Sequence, residues 1–128
     1  MTALESLALA RLCAQLAFDR RCEDVLLLDV HDRTVLADYF LIATARNQRQ
    51  LRAVAEAIAH EGARAGRKHR RVEGATGGRW VLLDLGDVVV HVFDAESRAF
   101  YDLESLWADA PRVPLHLKSA HAHGRPAS

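Results

Sequence analysis

Apolar positions change period several times along this chain, and each change marks an element. Leu4, Leu7, Ala8, Leu12 and Leu16 recur at mostly helical spacing, predicting a first helix that runs to about Phe18. Thr2 and Glu5 stand three residues apart at its start, as in a capping box. Two β-prone runs follow, Asp24–Val30 and Asp38–Thr44, with turn chemistry in His31–Thr34 between them. Asn47 is placed to cap a second helix that carries Leu51, Val54, Ala55, Ile58 and Gly62 on one face, and Gly66 is its natural stop. A short strand is expected over His69–Gly74, closed by the glycine-rich 74–78. Arg79–Leu85 and Val88–Phe93 read as two strands around Gly86-Asp87. Asp94–Trp107 reads as one last helix, capped by Asp94, with Ala99, Phe100, Leu103, Leu106 and Trp107 as its apolar stripe.

The resulting order, α-β-β-α-β-β-β-α, predicts an α/β (α+β) fold in which helices pack on a single mixed β-sheet. At 128 residues the chain suits one core, placed in residues 1–110. Residues 111–128 hold all three prolines and little periodicity, so a disordered tail is expected there. Basic and acidic residues number 17 each, a balance that excludes a protein wrapping nucleic acid with its whole surface. Cys13 and Cys22 have no CxxC partner and read as buried thiols of a reducing compartment. The N-terminal stretch lacks a basic leader region and carries charge inside its apolar pattern, so it is neither a signal peptide nor a membrane span; a cytoplasmic protein is expected.

Asp84, Asp87 and His91 invite a catalytic or metal reading. Pairing the strands argues against it. With Gly86-Asp87 central in a type II′ turn, Leu85 faces Val88, Leu83 faces Val90 and Val81 faces Val92, giving one wholly apolar face. Trp80, Leu82, Asp84, Val89, His91 and Phe93 lie on the other, with Asp84 and His91 on different cross-strand pairs. A metal needs further ligands that nothing nearby supplies, and Asp84-Leu85-Gly86-Asp87 lacks the one-face spacing that two-metal nucleotidyl transfer requires. No catalytic residue, metal or cofactor is expected. A metal-dependent nucleotidyltransferase using Asp84 and Asp87 stays as an alternative, as does a docking adaptor for another partner. The tail histidines His116, His121 and His123 read as solvated.

Two surface features remain. The run Arg64, Arg67, Lys68, Arg70 and Arg71 is either a contact for RNA phosphates, with Arg67, Lys68, Arg70 and Arg71 as its residues, or a solvated helix end. Trp80, His91, Phe93, Tyr101 and Trp107, rimmed by Asp94, Glu96, Asp102 and Glu104, describe either a docking patch for a basic protein or a sheet face covered by a second layer of helix.

The stretches Ala37–Ile58, Val72–Gly74 and Trp80–Trp107, the last containing DLGDVVVHVF followed by ESR, with Asp24–Val30 before them, resemble the ribosomal silencing factor, or Iojap-like, family. The resemblance spans about Leu4 to Trp107 and implies a nucleotidyltransferase-like topology without catalytic residues. It also implies a cytoplasmic, non-enzymatic factor that binds the large ribosomal subunit through its ribosomal protein number fourteen. Bound there, such a factor blocks small-subunit joining and represses translation under nutrient limitation. Family members can also form homodimers when free. Carried over by motif, the partner-binding residues are Trp80, Tyr101, Leu103, Glu104, Leu106 and Trp107, with His91 and Phe93 beside them. One departure is Thr44-Ala45-Arg46-Asn47, where the family carries Thr-Gly-x-Ser and alanine adopts positive φ less readily than glycine.

Overall fold

Alternation along the strands gives the sheet two apolar faces, and each is covered differently. The computed structural model describes residues 3–67, 70–73 and 79–118. Its elements are α1 (Ala3–Asp19), β1 (Glu23–Asp29), β2 (Tyr39–Ala45), α2 (Gln48–Arg64), β3 (Arg70–Glu73), β4 (Trp80–Asp84), β5 (Val88–Asp94), α3 (Ala95–Tyr101) and α4 (Leu103–Leu106). The strands form one mixed sheet in the order β1-β2-β5-β4-β3. β2 and β5 pair in parallel and every other neighbour is antiparallel. β2 and β5 are central and buried on both faces, which is why their sequences are nearly continuous apolar runs.

The β4–β5 register is the expected one: Val81 pairs with Val92, Leu83 with Val90, and the Leu85 amide donates to the Val88 carbonyl. Gly86 has φ +95° while Asp87 keeps a negative φ, the signature of a II′ rather than a I′ turn. The valine face meets α1 and α2. From α2 come Leu51, Val54, Ala55 and Ile58, with Asn47 Oδ1 capping the helix by accepting from the Gln50 amide at 2.8 Å. α1 is rotated from its expected leucine stripe. It buries Ser6, Leu9, Ala10, Cys13, Ala14 and Ala17, while Leu12 is exposed. Small side chains on this face let α1 lie close against the sheet and α2. Thr2 of the expected capping box lies outside the described residues. Ala45 sits in β2 with an ordinary negative φ, so that position makes no demand for glycine.

Two expectations are corrected here. The last helix breaks: Asp102 adopts a left-handed φ of 46°, and α4 sets off in a new direction. The segment 111–118, expected to be disordered, runs extended beside edge strand β1. The Asp29 amide donates to the Pro111 carbonyl, the Val113 amide donates to the Leu27 carbonyl, and Val113, Leu115 and Leu117 pack on the core. Gln15 fastens its far end, accepting from the Lys118 amide and donating to the Lys118 carbonyl. An exposed strand edge is thereby covered. The rest of the tail lies outside the described residues.

Asp87 is more than a turn residue. Its carboxylate accepts from the Ser6 hydroxyl of α1 and from the Arg67 guanidinium just after α2, and both of those side chains are buried. Its carbonyl accepts from the Asp38 and Tyr39 amides at the start of β2. Asp84 by contrast closes its own turn, accepting from the Gly86 amide at 2.9 Å, and among the described residues it takes no part in that clamp. Removing one partner of a buried ion pair strands the other charge. Asp87→Ala is therefore expected to destabilise the fold by about 3 kcal/mol or more, and Asp84→Ala by about 1 kcal/mol. Urea unfolding of both variants measures the difference, and equal losses would contradict the distinction.

Candidate protein-docking site

β4 and β5 project Trp80, Leu82, Val89, His91 and Phe93 to the side away from α1 and α2, and β2 adds Phe40 and Ile42. The rings form one connected layer. Trp80 stacks on its cross-strand partner Phe93 with centroids 6.1 Å apart, and Phe93 stacks on His91 at 6.0 Å. Phe40 meets His91 edge-on at 5.6 Å and Trp107 edge-on at 5.1 Å. Tyr101 lies against both Trp80 and Phe93.

α3 and α4 cover this layer only in part, and the cover decides which aromatics reach solvent. Asp94 caps α3 by accepting from the Ser97 amide at 2.7 Å. Arg98 then pins α3 to the sheet, donating to the Asp24 carbonyl at 2.6 Å and the Thr44 hydroxyl at 2.9 Å while pairing with Glu104. After the break at Asp102, Leu103 and Trp107 pack down onto the ring layer. Phe100 and Leu106 are left outward, 80 % and 72 % exposed, with Tyr101 at 50 %.

Two expected contact residues are corrected by this cover. Phe93 is 1 % exposed and His91 7 %, so both lie beneath the surface layer rather than on it. Trp80, Leu103 and Trp107 are half-buried and show edges, and Glu104 is committed to Arg98. Phe100 was expected in the buried stripe; continuous helical spacing hides its exposure. The signal for the break was Asp102 followed by Ser105, a helix-start pattern inside a helix, although the Asp102 carboxylate accepts from the Ser105 hydroxyl at 2.6 Å and makes no cap bond to the α4 backbone.

The competing chemistry loses its groups one by one. Asp84 and Asp87 are held by the turn and the Ser6–Arg67 clamp, and among the described residues no three His, Cys, Asp or Glu side chains converge to hold a metal ion. Burial pushes the Cys13 thiol up to about 12 and the Cys22 thiol up to about 11, the wrong direction for a nucleophile. The basic run is also depleted. Arg67 is buried against Asp87, so its expected RNA contact is corrected; Arg64 pairs with Glu61 at 3.0 Å and Arg71 with Glu56 at 2.6 Å. Arg70 is exposed, and Lys68 lies outside the described residues.

Among the described residues His91 Nδ1 and Trp80 Nε1 are buried without a hydrogen-bond partner. Burial lowers the His91 imidazole from an ordinary 6.5 to about 4, since a charged ring would lose its hydration among Phe40, Phe93 and Leu82. The unfolded chain takes up that proton at the ordinary value. Stability from neutral His91 is therefore complete above about pH 6.5 and declines as pH falls towards 4. His91→Leu removes this dependence and is expected to shrink the stability difference between about pH 7 and pH 4.5 by about 2 kcal/mol. Urea unfolding at the two pH values checks it; an identical acid loss in parent and variant would refute it.

Comparison with known proteins agrees with this fold. Residues 3–128 match the family model described as ribosomal silencing factor during starvation. The chain is 42 % identical over 108 residues to the ribosomal silencing factor of Bacillus subtilis, covering 84 % of this chain and 92 % of that protein. It is 35 % identical over 115 residues to the chloroplastic Iojap protein of Arabidopsis thaliana, covering 87 % of this chain and 46 % of that one. A crystal structure from Bacillus halodurans superposes with a TM-score of 0.71 at 38 % identity, over 88 % of this chain and 99 % of that chain. One from Chromobacterium violaceum gives 0.74 at 32 % identity over the full length of both. No helix among the described residues is long and apolar enough to cross a membrane. The chain belongs to the ribosomal silencing factor family.

Proposed function

We propose that this protein is a non-enzymatic repressor of translation that docks on the large ribosomal subunit through ribosomal protein number fourteen. Standing there, it excludes the small subunit by bulk, so translation falls under nutrient limitation and in stationary phase. The reading places this activity in the cytoplasm. The observation that carries it is the exposed patch of Phe100, Tyr101 and Leu106, edged by Trp80, Leu103 and Trp107, on a sheet face that its own helices leave incompletely covered. Such a cluster, with Glu96 and Asp102 exposed beside it, has the aromatic centre and acidic rim of a surface built for a basic protein partner. The family's description supports the ribosome as the site of docking. In free protein the same uncovered patch is where a second copy would pack to form a homodimer.

The contact set is revised by burial. Tyr101 and Leu106, joined by Phe100, are the outward anchors; Trp80, Leu103 and Trp107 present edges; Glu104 acts by holding α4 through Arg98. His91 and Phe93 support the patch from below, and their substitution would act through its shape.

Co-sedimentation of the full chain with isolated large subunits tests the reading. Leu106→Asp and Tyr101→Ala are each expected to weaken binding at least about tenfold, the loss of about 1.4 kcal/mol or more typical of an interface anchor; Leu106→Asp should leave thermal unfolding nearly unchanged, while Tyr101→Ala also loses some stability through its contacts with Trp80 and Phe93. Trp80→Ala is expected to lose binding and some stability together, because Trp80 also stacks on Phe93. Full binding by both Leu106→Asp and Tyr101→Ala would sink the assignment of this face.

A further inference from the structure

Four arginines from separate parts of the chain share one surface. Arg20 and Arg21 follow α1, Arg46 follows β2, and Arg49 lies in the first turn of α2; with Asn47, Gln50 and Ala53 they line an open cavity of about 340 Å³. All four are exposed, and among the described residues none forms an ion pair with a carboxylate. Asp19, the acidic residue next to Arg20, accepts instead from Gln15 at 2.7 Å. Elsewhere among the described residues Arg33, Arg64, Arg67, Arg71, Arg79 and Arg98 each have an acidic partner, and the arginines without one, Arg11, Arg52, Arg70 and Arg112, do not line this cavity. In a chain with no net charge, this is a local concentration of positive charge left unneutralised.

The scaffold beneath the cluster is fixed without using the guanidinium groups. Gln50 donates to the Arg20 carbonyl at 2.6 Å and accepts from the Arg46 amide, so one side chain ties the end of α1 to the end of β2. Arg21 holds a φ of 70°, a left-handed conformation that glycine adopts freely and that costs an arginine about 1 kcal/mol. That position is the C′ residue of a Schellman cap on α1, with the Arg21 amide donating to the Phe18 carbonyl at 2.9 Å and the Cys22 amide to the Ala17 carbonyl at 3.0 Å, so the conformation ends the helix and leaves the guanidinium exposed.

The lining also names the kind of partner. It offers no aromatic ring on which a base could stack and no aliphatic side chain larger than alanine to anchor a protein knob. Arginine forks match phosphate oxygens in geometry and charge. An open surface with four such forks suits successive phosphates of a strand better than one enclosed small anion. We propose that Arg20, Arg21, Arg46 and Arg49 bind the sugar–phosphate backbone of RNA without reading its sequence. The cluster is distinct from the aromatic docking patch and does not depend on it. Ala45 pairs with Asp94 in the sheet, so Arg46 emerges at the end from which α3 departs. One ribonucleoprotein partner can therefore meet RNA at the arginines and protein at α3 and α4.

Fluorescence anisotropy of the full chain with a labelled mixed-sequence RNA duplex, at 50 and 200 mM salt, tests this; those concentrations are roughly the span over which phosphate contacts are lost. Binding is expected to weaken with salt by about 0.9 in the log–log slope per phosphate contacted. The double variants Arg46→Gln/Arg49→Gln and Arg20→Gln/Arg21→Gln are each expected to lose about tenfold or more at low salt and to flatten that slope by about 2. Their circular dichroism melts should match the parent, because the backbone bonds of the scaffold remain. Leu106→Asp should bind RNA as the parent does, which separates this site from the docking patch. Tripolyphosphate and ATP serve as free-phosphate competitors and are expected to displace RNA only weakly. The proposal is overturned if the parent binds no RNA, if both double variants bind it unchanged, or if tripolyphosphate or ATP binds more tightly than RNA.

Discussion

The carboxylate of Asp87 is the point on which the fold's parts are registered. It sits in a tight turn between β4 and β5, yet it receives a hydroxyl from α1 and a guanidinium from beyond the end of α2, and its carbonyl receives two amides at the start of β2. A buried charge is tolerated only when such partners replace its lost water. Each element that approaches this carboxylate must therefore arrive at a set position. That requirement fixes the helices over the valine face more sharply than apolar contact, which is non-directional, could do alone.

The opposite face obeys a looser constraint. Its ring layer is too large for the short α3–α4 cover, and the left-handed Asp102 turns α4 so that Leu103 and Trp107 descend while Phe100 and Leu106 stay out. Arg98 holds this arrangement from the side by bonding the sheet backbone, Thr44 and Glu104 at once. One face of the sheet is thus sealed for stability, and the other is left with an apolar surplus that suits a partner. His91, held neutral by burial between Phe40 and Phe93, belongs to that surplus's support.

Charge is distributed by the same logic. The run that looks most basic along the chain, from Arg64 to Arg71, is partly consumed inside the molecule by Asp87, Glu61 and Glu56. Arginines that look unremarkable in sequence, two after α1 and two around the start of α2, come together with no carboxylate among them. A net charge of zero conceals both facts, because it sums over positions that the fold separates.

By itself the sequence determined what depends on neighbours along the chain. The II′ hairpin and its register, the Asn47 and Asp94 caps, the order of strands and helices, and the valine face were all legible, because period and turn chemistry act over a few residues. The motif around Asp84–Phe93 and the helix after it was enough to point to the family. The tertiary structure alone decided what depends on residues distant in sequence: that Asp87 is a clamp while Asp84 is only a turn residue, that Phe93 is covered while Phe100 is bare, that 111–118 lies along β1, and that Arg20 meets Arg46 through Gln50. Ser6 and Asp87 are 81 positions apart. No local pattern encodes such a meeting, because burial and pairing are set by which surfaces the packed elements bring into contact.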